Sequence, residues 1–218
     1  MKIFLLLAAL AGGVATNPEP VESAFSNMQA RQADQCSFTR WFRDGDTSTV
    51  ERFDADLETW ALLEIDGRAP SAKALDEYSD DWANRARRNL PTAIDFDDLA
   101  APGSYKRLEA SDDQAVYEFA PGAETEDDQK ISDALIGRLV INEEEQSVAY
   151  FEISNARAFS PAFGVKIKSL NQRVEFRWLE NQRVFVMGEV TVKMAGRAFG
   201  LKKISQDMVV SFDKFSCE

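Results

Sequence analysis

The chain of 218 residues contains no histidine. A Ser-His-Asp or Cys-His catalytic unit cannot be assembled, and the common zinc sites lose their most frequent ligand. General acid–base work near neutral pH falls to carboxylates or to lysines with shifted pKa values. The sequence therefore offers no catalytic residue, no cofactor motif and no metal motif. Cysteine is scarce, with two residues. Past the first residues, no apolar run reaches the ~20 residues that a spanning helix needs, so no transmembrane segment is expected in the mature chain.

Cations are also in short supply. Lys and Arg number 25 against 37 Asp and Glu, a formal net charge of −12. A chain this acidic is not expected to bind nucleic acid by neutralising phosphates. Nor is it expected to cling to anionic membranes by charge alone.

What is present begins with MKIFLLLAALAGGVATNPEP. Lys2 precedes an apolar run from Ile3 to Leu10, and small residues follow as far as Ala15. This is the pattern of a secretory signal peptide over residues 1–15, cleaved after Gly13-Val14-Ala15. The mature chain, residues 16–218, is expected to be exported to the periplasm as a single domain. In an oxidising compartment a lone pair of cysteines points to a disulfide, and Cys36 and Cys217 lie near the two ends of that chain. The alternative is two buried free thiols.

Val21 to about Asp34 reads as a helix with Val21, Phe25 and Met28 on one face. Cys36–Phe42 and Ser48–Ala55 alternate as a hairpin about Asp44-Gly45-Asp46, and Trp60–Ile65 is a third strand. The period then changes. Pro70-Ser71 opens a helix with Ser71 as N-cap and Leu75, Tyr78, Trp82 and Ala86 as its apolar stripe; Pro91 closes it. Ile94–Ala100 reads as one more helical turn, and Pro121–Gln129 as an acidic loop. The remainder is β: two short strands, then Leu135–Asn142, Gln146–Asn155, Ala162–Trp178, Arg183–Met194 and Gln206–Phe215. The expected fold is α+β, a curled antiparallel sheet of about ten or eleven strands forming an unclosed barrel. The inserted helices would be its plug, with one further helix at the N-terminus.

This layout resembles the LolA-like superfamily, which includes the periplasmic carrier of outer-membrane lipoproteins. The likeness is carried by the order of elements over residues 21–217. It is also carried by WALLEIDGRAPSAKALDEY (Trp60–Tyr78), GRLVINEEEQSVAYFEI (Gly137–Ile153) and GRAFGLKKISQDMVVSFDKF (Gly196–Phe215). The resemblance implies a half-barrel whose concave face and helices enclose an apolar cavity for acyl chains. On that implication Val174, Phe176 and Trp178 face the cavity, together with Phe38, Phe42, Phe53, Trp60 and Leu62. Phe151, Val192 and Met194 join them, with Leu75, Tyr78 and Trp82 from the inserted helix. Each of these can equally be packed core.

Arg68, in Asp66-Gly67-Arg68-Ala69-Pro70, is a rim candidate for a lipid headgroup or a partner's carboxylate. The competing reading of that segment is a plain strand-to-helix turn. The acidic clusters Asp95-Asp97-Asp98, Glu124–Asp128 and Glu143-Glu144-Glu145 lack calcium-loop spacing and read as solvated charge. The functional expectation is a non-enzymatic periplasmic carrier of a hydrophobic ligand, such as a lipid or acylated lipoprotein. Two rivals remain open. One is an envelope protein–protein interaction module with a filled core. The other is a carboxylate-based hydrolase, which needs two converging carboxylates in a cleft.

Overall fold

Alternating apolar and polar residues become ten antiparallel strands joined edge to edge. The computed structural model describes residues 16–32, 36–85, 95–110, 113–123 and 125–217, with the side chains of residues 80–85, 109–110 and 127 outside that description. The expected signal peptide, Trp82, Ala86, Pro91, Ile94 and Glu124 also fall outside it.

Three strands, β1 (Cys36–Asp44), β2 (Thr47–Asp54) and β3 (Thr59–Ile65), precede helix α2 (Ala72–Arg85). After it come β4 (Lys106–Ala110), β5 (Gln114–Phe119), a short helix α3 (Glu126–Ser132), β6 (Leu135–Asn142) and β7 (Ser147–Asn155). The long strands β8 (Val165–Leu179), β9 (Val184–Ala198) and β10 (Lys202–Cys217) end the chain. The order across the sheet is β3-β2-β1-β10-β9-β8-β7-β6-β5-β4, which leaves it unclosed. Joining β1 to β10 sets the first strand beside the last. Cys36 lies directly opposite Cys217 in that ladder, and the two form a disulfide.

Helix α1 (Glu19–Ala30) packs on β6 and β7. Its buried residues Val21, Ala24, Phe25 and Met28 follow the three- and four-residue spacing of one helical face. Asn27 Nδ2 donates to the carbonyls of Glu145 and Gln146, and the Phe185 N–H donates to the Arg31 carbonyl, so the C-terminal end of the helix is tied to the sheet. Of the inserted segment expected as the plug, residues 86–94 and the side chains of residues 80–85 lie outside the described residues. Among the described residues it is α1, with Phe96, Leu99 and Tyr105, that joins the core of β5 to β9. Helix α2 touches edge strand β3 and carries Leu75 exposed. Ser71 caps α2 as expected, its Oγ accepting from the Ala74 N–H.

The acidic segment expected to be loop instead contains α3. Thr125 Oγ1 accepts from the Asp128 N–H as N-cap, and the acidic first turn suits the positive end of the helix dipole.

Register fixes which residues share a face. A β-bulge on β9 sets Glu175 opposite Glu189 but Phe176 opposite Met187, so Gly188 is the extra residue. The bulge keeps Phe185 and Met187 on the same side as Val190 despite the break in alternation. Gly137 on β6 leaves room for the Phe119 ring, which a Cβ at that position would overlap. On the opposite face, Glu118, Arg138, Glu152 and Arg173 stand side by side across four strands in alternating sign.

Candidate functional site

The face that carries α1 is apolar along most of its length and holds two clusters. The first gathers α1 and Phe96 with residues of β5 to β9, and Phe25 stacks on Phe96 with ring centroids 4.2 Å apart. The second is aromatic and lies near the disulfide: Phe38, Phe53 and Phe212, with Trp60 and Phe215 against them. Phe38 meets Phe53, Trp60, Phe212 and Phe215, with centroids 5.3 to 5.8 Å away.

Between them runs a continuous row. Phe151, Val174, Val190, Val210, Phe42, Thr49 and Ile65 are successive cross-strand partners from β7 to β3. Val174 is buried and the other six are half-buried. The neighbouring row sets Val192 between Gln172 and Met208, and the next sets Met194 between Leu170 and Gln206, all half-buried.

The sequence candidates thus divide. Phe42, Phe151, Phe176, Trp178, Val192 and Met194 are half-buried on this face, and Val174 is buried on it. Phe176 and Trp178 also rest against the α1 cluster. Phe38, Phe53 and Leu62 are buried, and Trp60 packs on the first two. Leu75 and Tyr78 lie on α2, the first exposed and the second half-buried. Arg68 is exposed in a tight turn where Asp66 and Gly67 have φ of 49° and 71° and residues 65 and 68 exchange both backbone hydrogen bonds. Asp66 Oδ1 accepts from the Ser48 N–H, which holds that turn against β2. The geometry matches the turn reading of this segment.

Sequence reasoning left Phe25, Phe96, Phe185, Met187 and Phe212 off the candidate roll. Phe96 sits between Asp95 and Asp97, which hides it in an acidic string. Phe185 and Met187 are recoverable only once the bulge at Gly188 is known.

Charge enters this face as an ion pair. Arg40 and Glu51 are direct partners across β1 and β2, and the Arg40 guanidinium lies 4.3 Å from the Trp60 ring centroid. At the other end, Tyr105 packs against Phe25 and Phe119 with its hydroxyl buried and unbonded among the described residues. Burial pushes its phenol well above the ordinary tyrosine range. Tyr117 is raised too, by burial first, with Arg107 pulling it down and Glu143 pushing it up.

The acidic segments lie elsewhere. Asp97, Asp98 and Asp128 line a cleft of about 730 Å³ with Pro121 and Ser132, beneath α3. Glu143–Glu145 form the β6–β7 turn, where Glu143 pairs with Arg107 at 3.0 Å. Among the described residues no group of three acidic or cysteine side chains converges to hold a metal ion, and no helix is long and apolar enough to cross a membrane.

No protein-family model matches the chain, and no curated protein is significantly similar to it.

Proposed function

We propose that this protein is an exported, LolA-like half-barrel that binds a hydrophobic ligand, a lipid or the acyl chains of a lipoprotein, along the apolar face of its sheet. The observation that carries the reading is the row from Phe151 to Ile65. It crosses seven strands, and every residue in it except Val174 is half-buried rather than sealed. An acyl chain needs such an extended apolar track with few polar groups. The two flanking clusters suit the ends of a track, one closed by α1 and Phe96 and the other by the Phe38 aromatics. The unclosed ten-stranded sheet with a helix on one face is what supports the LolA-like assignment. In this reading α2, which touches edge strand β3, flanks the entrance. The disulfide and the lack of a spanning helix among the described residues are compatible with an exported protein.

The test is uptake of a fluorescent fatty acid by delipidated protein. Saturable binding is expected, weakened by Phe42→Glu, which puts a charge on the track while Phe38 and Phe25 keep their packing. Absence of saturable uptake, or uptake unchanged in the variant, contradicts the reading.

A further inference from the structure

The far ends of β8, β9 and β10 carry a surface unlike the rest of this acidic molecule. Phe163, Phe199 and Leu201 are 95%, 70% and 92% exposed. They sit in two adjacent loops, and the rings of Phe163 and Phe199 are 6.3 Å apart. The Phe199 N–H donates to the Gly164 carbonyl, which locks the loop before β8 to the β9–β10 turn. A Cβ on Gly164 would strike the Phe199 ring, so glycine is what lets that ring lie across the loop.

Two features of this tip oppose folding stability. In the turn from Ala198 to Leu201, Phe199 and Gly200 have φ of 47° and 72°. A turn with positive φ at both central positions favours Asn, Asp or Gly there, and a bulky aromatic at positive φ is strained. Just inside the turn, Lys166, Arg197 and Lys203 are direct cross-strand neighbours, all exposed. Like charges placed opposite one another destabilise a sheet. The same sheet alternates sign at Glu118, Arg138, Glu152 and Arg173. Residues 153–174 and 190–206 contain no Asp or Glu in a chain that carries 37 of them. Across a cleft of about 700 Å³ from Phe163, α3 contributes Asp128 and Lys130, one charge of each sign.

Strain and like-charge crowding that survive together at an exposed tip point to a role outside the fold. From this arrangement we infer that the tip docks on an anionic lipid surface. Phe163, Phe199 and Leu201 enter the interface, and the row Lys166, Arg197 and Lys203 meets the lipid phosphates. The chemistry favours lipid over protein. Protein interfaces are depleted in lysine, whereas Lys168 and Lys202 add to the cations here. Exposed apolar side chains at the strand ends, backed by cations, suit insertion between headgroups. The net charge of −12 conceals this, because the acids are placed elsewhere. The inference is independent of the ligand-binding reading, since tip and apolar face are separate surfaces.

Co-sedimentation of the chain from Thr16 onward with phosphatidylcholine vesicles, with and without phosphatidylglycerol, tests it. The unaltered chain should pellet with the anionic vesicles and remain in solution with the neutral ones. Lys203→Glu removes one cation and places an acid beside Arg197; it should raise the melting temperature yet weaken binding by about twenty-five-fold, at about fivefold per unit over two units of charge. Phe199→Gly relieves the positive φ; it too should melt higher, and bind about tenfold more weakly for the lost ring. Because both variants are expected to fold better, weakened binding cannot be laid to unfolding. Failure of the unaltered chain to pellet with anionic vesicles, as expected of a tip built for an acidic protein, overturns the inference. So does binding that is equal on both vesicle types or unchanged in both variants.

Discussion

Arg40 and Glu51 face each other across β1 and β2 on the apolar side of the sheet, Glu51 only 4% exposed, with Phe212 beyond the arginine and Leu62 beyond the glutamate. A buried pair of this kind is kept by the mutual need of its members rather than by a large net gain. Glu51→Ala strands a guanidinium among aromatic rings and should lower unfolding free energy by about 3–5 kcal/mol in urea titrations. Replacing both, Arg40→Met with Glu51→Leu, should leave stability unchanged or raise it.

Tyr105 makes the alkaline side of the stability profile informative. Burial raises its phenol above the ordinary value, so the folded state holds that proton more tightly than the unfolded chain does. The contribution is complete below the unfolded pKa of about 10 and declines as pH climbs above it, by up to about 1.4 kcal/mol per pH unit. Tyr105→Phe should flatten that decline. At neutral pH the same variant should gain about 1 kcal/mol, since it removes a buried hydroxyl that has no partner among the described residues. Urea midpoints measured from pH 7 to pH 11 check both statements.

The disulfide closes a sequence separation of 181 residues and joins the first strand to the last. Its loss releases the longest loop the described chain closes, and loop entropy sets a ceiling of about 5 kcal/mol. Cys36→Ser with Cys217→Ser should cost about 2–5 kcal/mol, and a reductant should reproduce the loss in the unaltered chain but not in the double variant.

Period-two alternation made the sheet legible in the sequence, and the Cys36–Cys217 pairing followed from the expected compartment and from position. The nine β-hairpin and edge partners were less so, because register depends on bulges. Gly188 interrupts the alternation of β9 without leaving its face, and Leu63 does the same between Leu62 and Glu64 on β3. The β9–β10 turn was hidden because Phe199 occupies a position where a turn residue is expected, so β10 begins at Lys202 rather than Gln206. Helix α3 was hidden by its charge: Thr125 and Asp128 form a cap that resembles an acidic loop when only composition is weighed. The helix that fills the sheet was readable as a helix from Val21, Phe25 and Met28, but which helix meets the core is a tertiary fact. Among the described residues Phe96 stacks on Phe25, and its acidic neighbours gave no sign of that.

The most direct test of the ligand-binding account is native mass spectrometry of the protein purified without detergent, before and after organic extraction. The account predicts a bound species of lipid mass that disappears on extraction and returns when lipid is restored. A bare polypeptide mass before extraction, with no adduct on exposure to lipid, would contradict it and leave the row from Phe151 to Ile65 as ordinary core.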